Sequence, residues 1–95
     1  MIDRLARQIE KEERDLRVLG AVIEHQPIGI TRLARETDIE EHKVRYSLRM
    51  LENDDLVEPT PEGAVPADDI GARIDAINEG LVDLRRQLQA LKELM

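Results

Sequence analysis

Cysteine is absent from this sequence, and so are phenylalanine and tryptophan. Without a thiol there can be no disulfide and no thiolate metal site. Tyr46 is the only aromatic residue, so a core has to be assembled from Leu, Ile, Val and Ala. Lysine is scarce: the 14 basic residues include only Lys11, Lys43 and Lys92, the others being arginine, against 21 acidic residues and a net charge of −7. No run approaches the roughly 18 apolar residues of a membrane span. The opening residues, MIDRLARQIEKEER, are charged throughout and unlike a signal peptide. A soluble, cytoplasmic chain without membrane attachment is expected. His25 and His42 are the only histidines, and neither has a partner at ligand spacing, so no metal and no cofactor is expected. There is no nucleophile beside a base and no phosphate-cradling glycine loop. Asp54-Asp55 and Asp68-Asp69 fit turn or cap positions, which leaves no candidate catalytic pair and predicts a protein that is not an enzyme.

What is present is helical periodicity. Ninety-five residues make one small domain with room for an appended oligomerisation element. A chain this short buries a smaller share of its surface than a longer one, so association would help it. Ile2, Leu5 and Ile9 recur at helical spacing, giving an N-terminal helix over residues 1–14. Glu12 and Glu13 interrupt the stripe, which resumes at Leu16, Leu19, Val22 and Ile23. This predicts a second helix over residues 15–25 with Asp15 as its N-cap, or alternatively one long bent helix. Pro27 disfavours helix at Gln26. Residues 28–30 suit a short edge strand. Thr31 is expected to cap the helix TRLARET, which turns Leu33 and Ala34 inward and Arg32 and Arg35 outward. Asp38 makes the next turn.

The third helix, about residues 40–53, carries Val44, Leu48 and Leu51 as a buried stripe. Its other face carries His42, Lys43, Arg45, Tyr46 and Arg49, with no carboxylate from residue 42 to residue 51. In an acidic chain this local positive charge runs against the background. A helix with one apolar and one basic, hydrogen-bonding face suits the DNA major groove, which admits an α-helix. The alternative is an ordinary helix with a solvated charged face. Two short apolar segments, at residues 56–59 and 64–66, then flank Thr60-Pro61-Glu62-Gly63, a type I turn signature. They predict the one hairpin of the chain.

From residue 67 to residue 95 the pattern is strictest. Ile70, Ile74, Ile77, Leu81, Leu84, Leu88, Leu91 and Met95 follow one another at alternating steps of four and three, a coiled-coil a/d seam. At about 1.5 Å per residue this helix would be roughly 40 Å long, more than a small core needs. The flanking positions carry no acids to pair across a homodimer, so parallel and antiparallel order both stay open. Self-association through this seam is expected, with the N-terminal helix joining the bundle. The alternative is packing on the Ile2/Leu5/Ile9 face of the same chain.

Helix, short strand, helix, turn, helix and hairpin is the winged helix-turn-helix order. The run LARETDIEEHKVRYSLRMLENDDLV resembles the helix-turn-helix and wing start of archaeal and bacterial transcriptional regulators of the Lrp, ArsR and MarR types, over residues 16–66. HKVRYSLRMLE followed by VEPTPEGAVP looks most like small winged-helix regulators of haloarchaea, and the acidic, lysine-poor composition resembles that of proteins from salt-loving archaea. The resemblance implies a mainly α fold with a hairpin wing over residues 15–66 and a homodimer reading double-stranded DNA. His42, Lys43, Arg45, Tyr46 and Arg49 would then face the groove, while Thr31, Arg32 and Arg35 hold phosphates. Two turn positions depart from the pattern, with Asp38 and Asp55 where glycine is usual. The tip of the hairpin carries Glu62 where DNA-contacting wings are basic. That tip, the net charge and the lack of a basic arm favour a second reading, a winged-helix protein adaptor that oligomerises through its C-terminal helix and does not touch DNA.

Overall fold

A computed structural model describes residues 1–95. It is mainly helical, with a small antiparallel hairpin: α1 (Ile2–His25), α2 (Ile30–Thr37), α3 (Glu41–Asn53), β1 (Val57–Thr60), β2 (Gly63–Pro66) and α4 (Ile70–Glu93).

The first helix is one element of 24 residues, so of the two possibilities the single long helix is the one adopted. Glu12 and Glu13 interrupt an apolar stripe but not a helix, since glutamate is a good helix former. The Gln8 amide donates to Glu12 Oε1 at 3.0 Å, one turn on. Asp15 is therefore not a cap. It lies mid-helix, with Oδ1 buried and without a hydrogen-bond partner, 4.0 Å from Arg14 Nε. At Gln26 ψ swings to 139°, the extended geometry demanded by the following proline.

The edge strand expected at residues 28–30 contracts to one residue. Ile28 bridges to Ala64, donating to its carbonyl at 3.1 Å and accepting from its N–H at 2.8 Å. Gly29 is the N-cap of α2, its carbonyl accepting from Leu33 N–H at 3.0 Å. The expected cap at Thr31 is thus displaced by two residues, and Thr31 sits exposed inside the first turn. In the hairpin Val57 pairs with Pro66 and Thr60 with Gly63, leaving Pro61 and Glu62 as the turn.

The core gathers Val18, Leu19 and Val22 from α1, Leu33 from α2, and Val44, Leu48 and Leu51 from α3, closed by Ile28, Val57 and Ala64. Of α4 only Ile70 packs against it, half-buried, and no residue of α4 is fully buried. The N-terminal half of α1 and most of α4 project past this core. The molecule accordingly measures 51 × 28 × 19 Å, with a radius of gyration of 15.0 Å, where a compact chain of about 100 residues has roughly 13 Å. None of the helices is long and apolar enough to cross a membrane.

Candidate nucleic-acid interface

Helix α3 is held by its apolar side. Val44, Ser47, Leu48 and Leu51 are buried, four positions that share one side of a 3.6-residue repeat. His42, Lys43, Arg45, Tyr46 and Arg49 are all exposed. Lys43, Arg45 and Arg49 enter no ion pair and no side-chain hydrogen bond with the rest of the chain, although acidic residues are in excess. His42 differs, its Nδ1 lying 3.3 Å from Glu40 Oε2.

Tyr46 is engaged from one side. The Arg14 guanidinium of α1 stands 5.6 Å from its ring centroid, and the same arginine donates from Nε to Ser47 Oγ at 2.9 Å. Tyr46 is still 46% exposed, and its hydroxyl makes no hydrogen bond within the chain. A cation–π contact of this kind at an exposed site contributes about 0.5–1 kcal/mol.

On α2, Thr31, Arg32 and Arg35 are exposed. Arg35 is unpaired. Arg32 is not: its Nη2 donates to His25 Nδ1 at 3.3 Å and its Nε lies 3.8 Å from Glu36 Oε1. His25 Nε2 stands 3.7 Å from Glu36 Oε2, so residues 25, 32 and 36 form one surface cluster that ties the end of α1 to α2. Arg32 would have to leave Glu36 to meet another anion.

The acidic side chains frame this basic surface. Glu40 and Glu41 lie at the start of α3, where the helix dipole favours them. Glu58 and Glu62 are exposed on the hairpin. Thr60 Oγ1 accepts from Glu62 N–H at 3.2 Å and donates to Gly63 O at 2.6 Å, so the acidic tip is held in a fixed turn.

One group of cations escapes a reading by composition. Residues 1–14 contain as many acids as bases, but Arg4, Arg7, Lys11 and Arg14 are spaced 3, 4 and 3 and share one face of α1. A shallow groove between α1 and α3 is lined by Arg7, Glu10, Lys11, Arg14 and Lys43, with no apolar residue. Lys43 thus belongs to this flank of α3. The basic spacing on α1 was available in the sequence, overshadowed by the apolar stripe of the same segment.

The seam residues of α4 fall into two groups. Ile70, Ile74 and Ile77 are half-buried within the chain, whereas Leu81, Leu84, Leu88 and Leu91 are each 49–54% exposed and Met95 is fully exposed. The exposed part faces α1: Met1, Ile2 and Leu5 stand across a cleft of about 550 Å³ from Leu88, Leu91, Leu94 and Met95. The two stripes oppose one another without closing. No protein-family model matches the chain, and no curated protein matches it.

Proposed function

We propose that this chain is a sequence-specific DNA-binding transcriptional regulator on a winged helix-turn-helix scaffold, acting in the cytoplasm as a homodimer. Helix α3 enters the major groove and α2 lies across the backbone. The observation that carries the reading is the freedom of Lys43, Arg45 and Arg49: in a chain with 21 acidic and 14 basic residues, no carboxylate of the protein neutralises them. An arginine with nothing on its fork is suited to guanine, whose O6 and N7 accept two parallel hydrogen bonds. Arg45 and Arg49 are assigned to base contacts, and Thr31 and Arg35 to phosphates, which set register. His42 and Tyr46 flank the base-reading arginines. Arg32 joins the phosphate contacts only after exchanging Glu36 for DNA. The acidic hairpin tip stays away from the duplex.

The homodimer is supported by the exposed stripe from Leu81 to Met95 and by the facing stripe of Ile2, Leu5 and Ile9. Apolar patches of this extent mark association surfaces. A symmetric dimer reads two half-sites about one helical turn apart. In a salt-rich cytoplasm counterion release contributes less to affinity, so base contacts and dimer symmetry carry more of it.

Glu58 and Glu62 on the hairpin favour a second reading, in which the same scaffold docks a protein partner. Capture of genomic DNA fragments in high potassium chloride separates the two. The wild type is expected to enrich a limited set of fragments, and Arg45→Ala/Arg49→Ala to enrich none. Absence of enrichment by the wild type at any salt concentration would remove the regulator and leave the adaptor.

A further inference from the structure

We propose that the N-terminal half of α1 is a second DNA-contacting surface, in which Arg7, Lys11 and Arg14, together with Lys43 of α3, hold backbone phosphates beside the groove that α3 reads. This rests on the DNA-binding function proposed above and extends it to an element outside the helix-turn-helix.

Three observations carry it. First, the groove between α1 and α3 is lined by four cations and one carboxylate, Glu10, with no apolar side chain, in a chain whose net charge is −7. Arg7, Lys11 and Lys43 form no ion pair or side-chain hydrogen bond, and the one carboxylate that Arg14 meets is Asp15, at 4.0 Å. Like charges gathered without internal partners repel one another, and a polyanion relieves that repulsion. Second, the groove has a fixed floor. Arg14 donates to the buried Ser47 Oγ at 2.9 Å and stands over Tyr46, so the row on α1 is registered against α3. Third, the basic surface lies away from the apolar side of α1. Arg4, Arg7, Lys11 and Arg14 lie on the side of α1 opposite Ile2, Leu5 and Ile9, as their offset in a 3.6-residue repeat requires. Association through the apolar side leaves the basic side free.

The dimensions suit one strand of a duplex. Arg7 to Arg14 covers roughly 10 Å along the helix axis, about the rise of three successive phosphates at ~3.4 Å each. Long cationic side chains without a planar partner to read serve position, not sequence. Through Lys43 the row reaches the α1 flank of α3 itself, beside the exposed side that carries His42, Tyr46 and Arg49, which favours DNA over a separate acidic protein.

The test is fluorescence anisotropy on a random-sequence duplex and on a genomic fragment enriched by the wild type, each titrated with potassium chloride. The variant is Arg7→Gln/Lys11→Gln, in which both altered side chains are exposed and unbonded. Each lost phosphate contact makes the slope of log affinity against log salt shallower by about 0.9, so the variant should lose roughly 2 units of slope per protomer. Its preference for the enriched fragment over the random duplex should match that of the wild type. Arg7→Lys/Lys11→Arg should restore the wild-type slope. An unchanged slope in the glutamine variant, with wild-type binding intact, overturns the inference and leaves the proposed function standing. Absence of wild-type binding to either duplex at every salt concentration overturns both. Retention of the wild type but not the glutamine variant on poly-glutamate, without duplex binding, also overturns it and assigns the groove to an acidic protein.

Discussion

Three residues hold positive φ: Asp38 at 57°, Asp55 at 59° and Gly63 at 130°. The two aspartates end helices in the left-handed conformation. At the end of α3, Asp55 N–H donates to Glu52 O at 3.0 Å and Leu56 N–H to Leu51 O at 2.9 Å, the paired bonds of a Schellman motif. At the end of α2, Ile39 N–H reaches Ala34 O at 3.3 Å. Glycine favours such sites because it has no Cβ to meet the following carbonyl, while aspartate tolerates them better than most residues. Asp38→Gly and Asp55→Gly are therefore expected to be neutral or stabilising in low salt by chemical denaturation. A loss above about 1 kcal/mol in both would contradict these turns. Gly63 has the opposite sign. A Cβ there would lie 2.6 Å from the backbone carbon of Ile28, at the bridge that joins the α1–α2 connection to the hairpin. Gly63→Ala is expected to destabilise by about 2 kcal/mol or more, since strain and backbone collision add.

Between elements, the α1–α3 contact is part apolar and part polar, and the polar part can be tested by itself. Ser47 is completely buried and accepts from Arg14 Nε. Ser47→Ala removes that acceptor and leaves a half-buried guanidinium short of one partner. The expected cost is about 1.5–3 kcal/mol, as for hydrogen bonds to charged groups, and the tyrosine signal should report looser packing of Arg14 on Tyr46. A cost near zero with an unchanged signal would mean that the arginine is not held there. This contact also marks the limit of what periodicity conveys. The stripes of α2, α3 and α4 and the hairpin are legible because each follows from local residue order, whereas the turns at Asp38 and Asp55 are marked only by the resemblance, which has glycine at both. The exposed side of α3 is legible for the same reason: burying Val44, Leu48 and Leu51 leaves only one direction for Arg45 and Arg49. The continuity of α1 is not, because a helix needs an unbroken hydrogen-bond ladder, not an unbroken apolar stripe. Val18 was hidden too. It lies on the second face of α1, in line with Arg14 and Lys11, and that face turns from basic to apolar only where α3 covers it. Pairing of Arg32 with Glu36 and His25 depends on how two helices meet. Spacing along one helix does not reveal it.

For the whole molecule, the unresolved balance lies between the compact core and the two helix halves that leave it. An isolated helix of this length is marginal in water unless an apolar face is covered. Leu84, Leu88 and Leu91 are half-exposed, and the stripe of Ile2, Leu5 and Ile9 opposite is exposed as well. A second copy would supply two more such stripes and close a four-helix arrangement around the cleft, leaving both copies of α3 outside it. Leu84→Glu/Leu88→Glu places four like charges at the centre of that arrangement in the dimer and disturbs nothing in the core. By sedimentation, the wild type is expected at twice the 10.9 kDa chain mass and the double variant at the chain mass. The variant should also lose part of its helical circular dichroism as the end of α4 frays, while the unfolding transition of the core persists. Its affinity for a two-half-site DNA should fall towards that of a single half-site, because linked binding is lost with the link. A wild type that sediments as a monomer with α4 fully helical would instead mean that α4 closes onto α1 within one chain. The two copies of α3 would then have nothing to space them on a duplex.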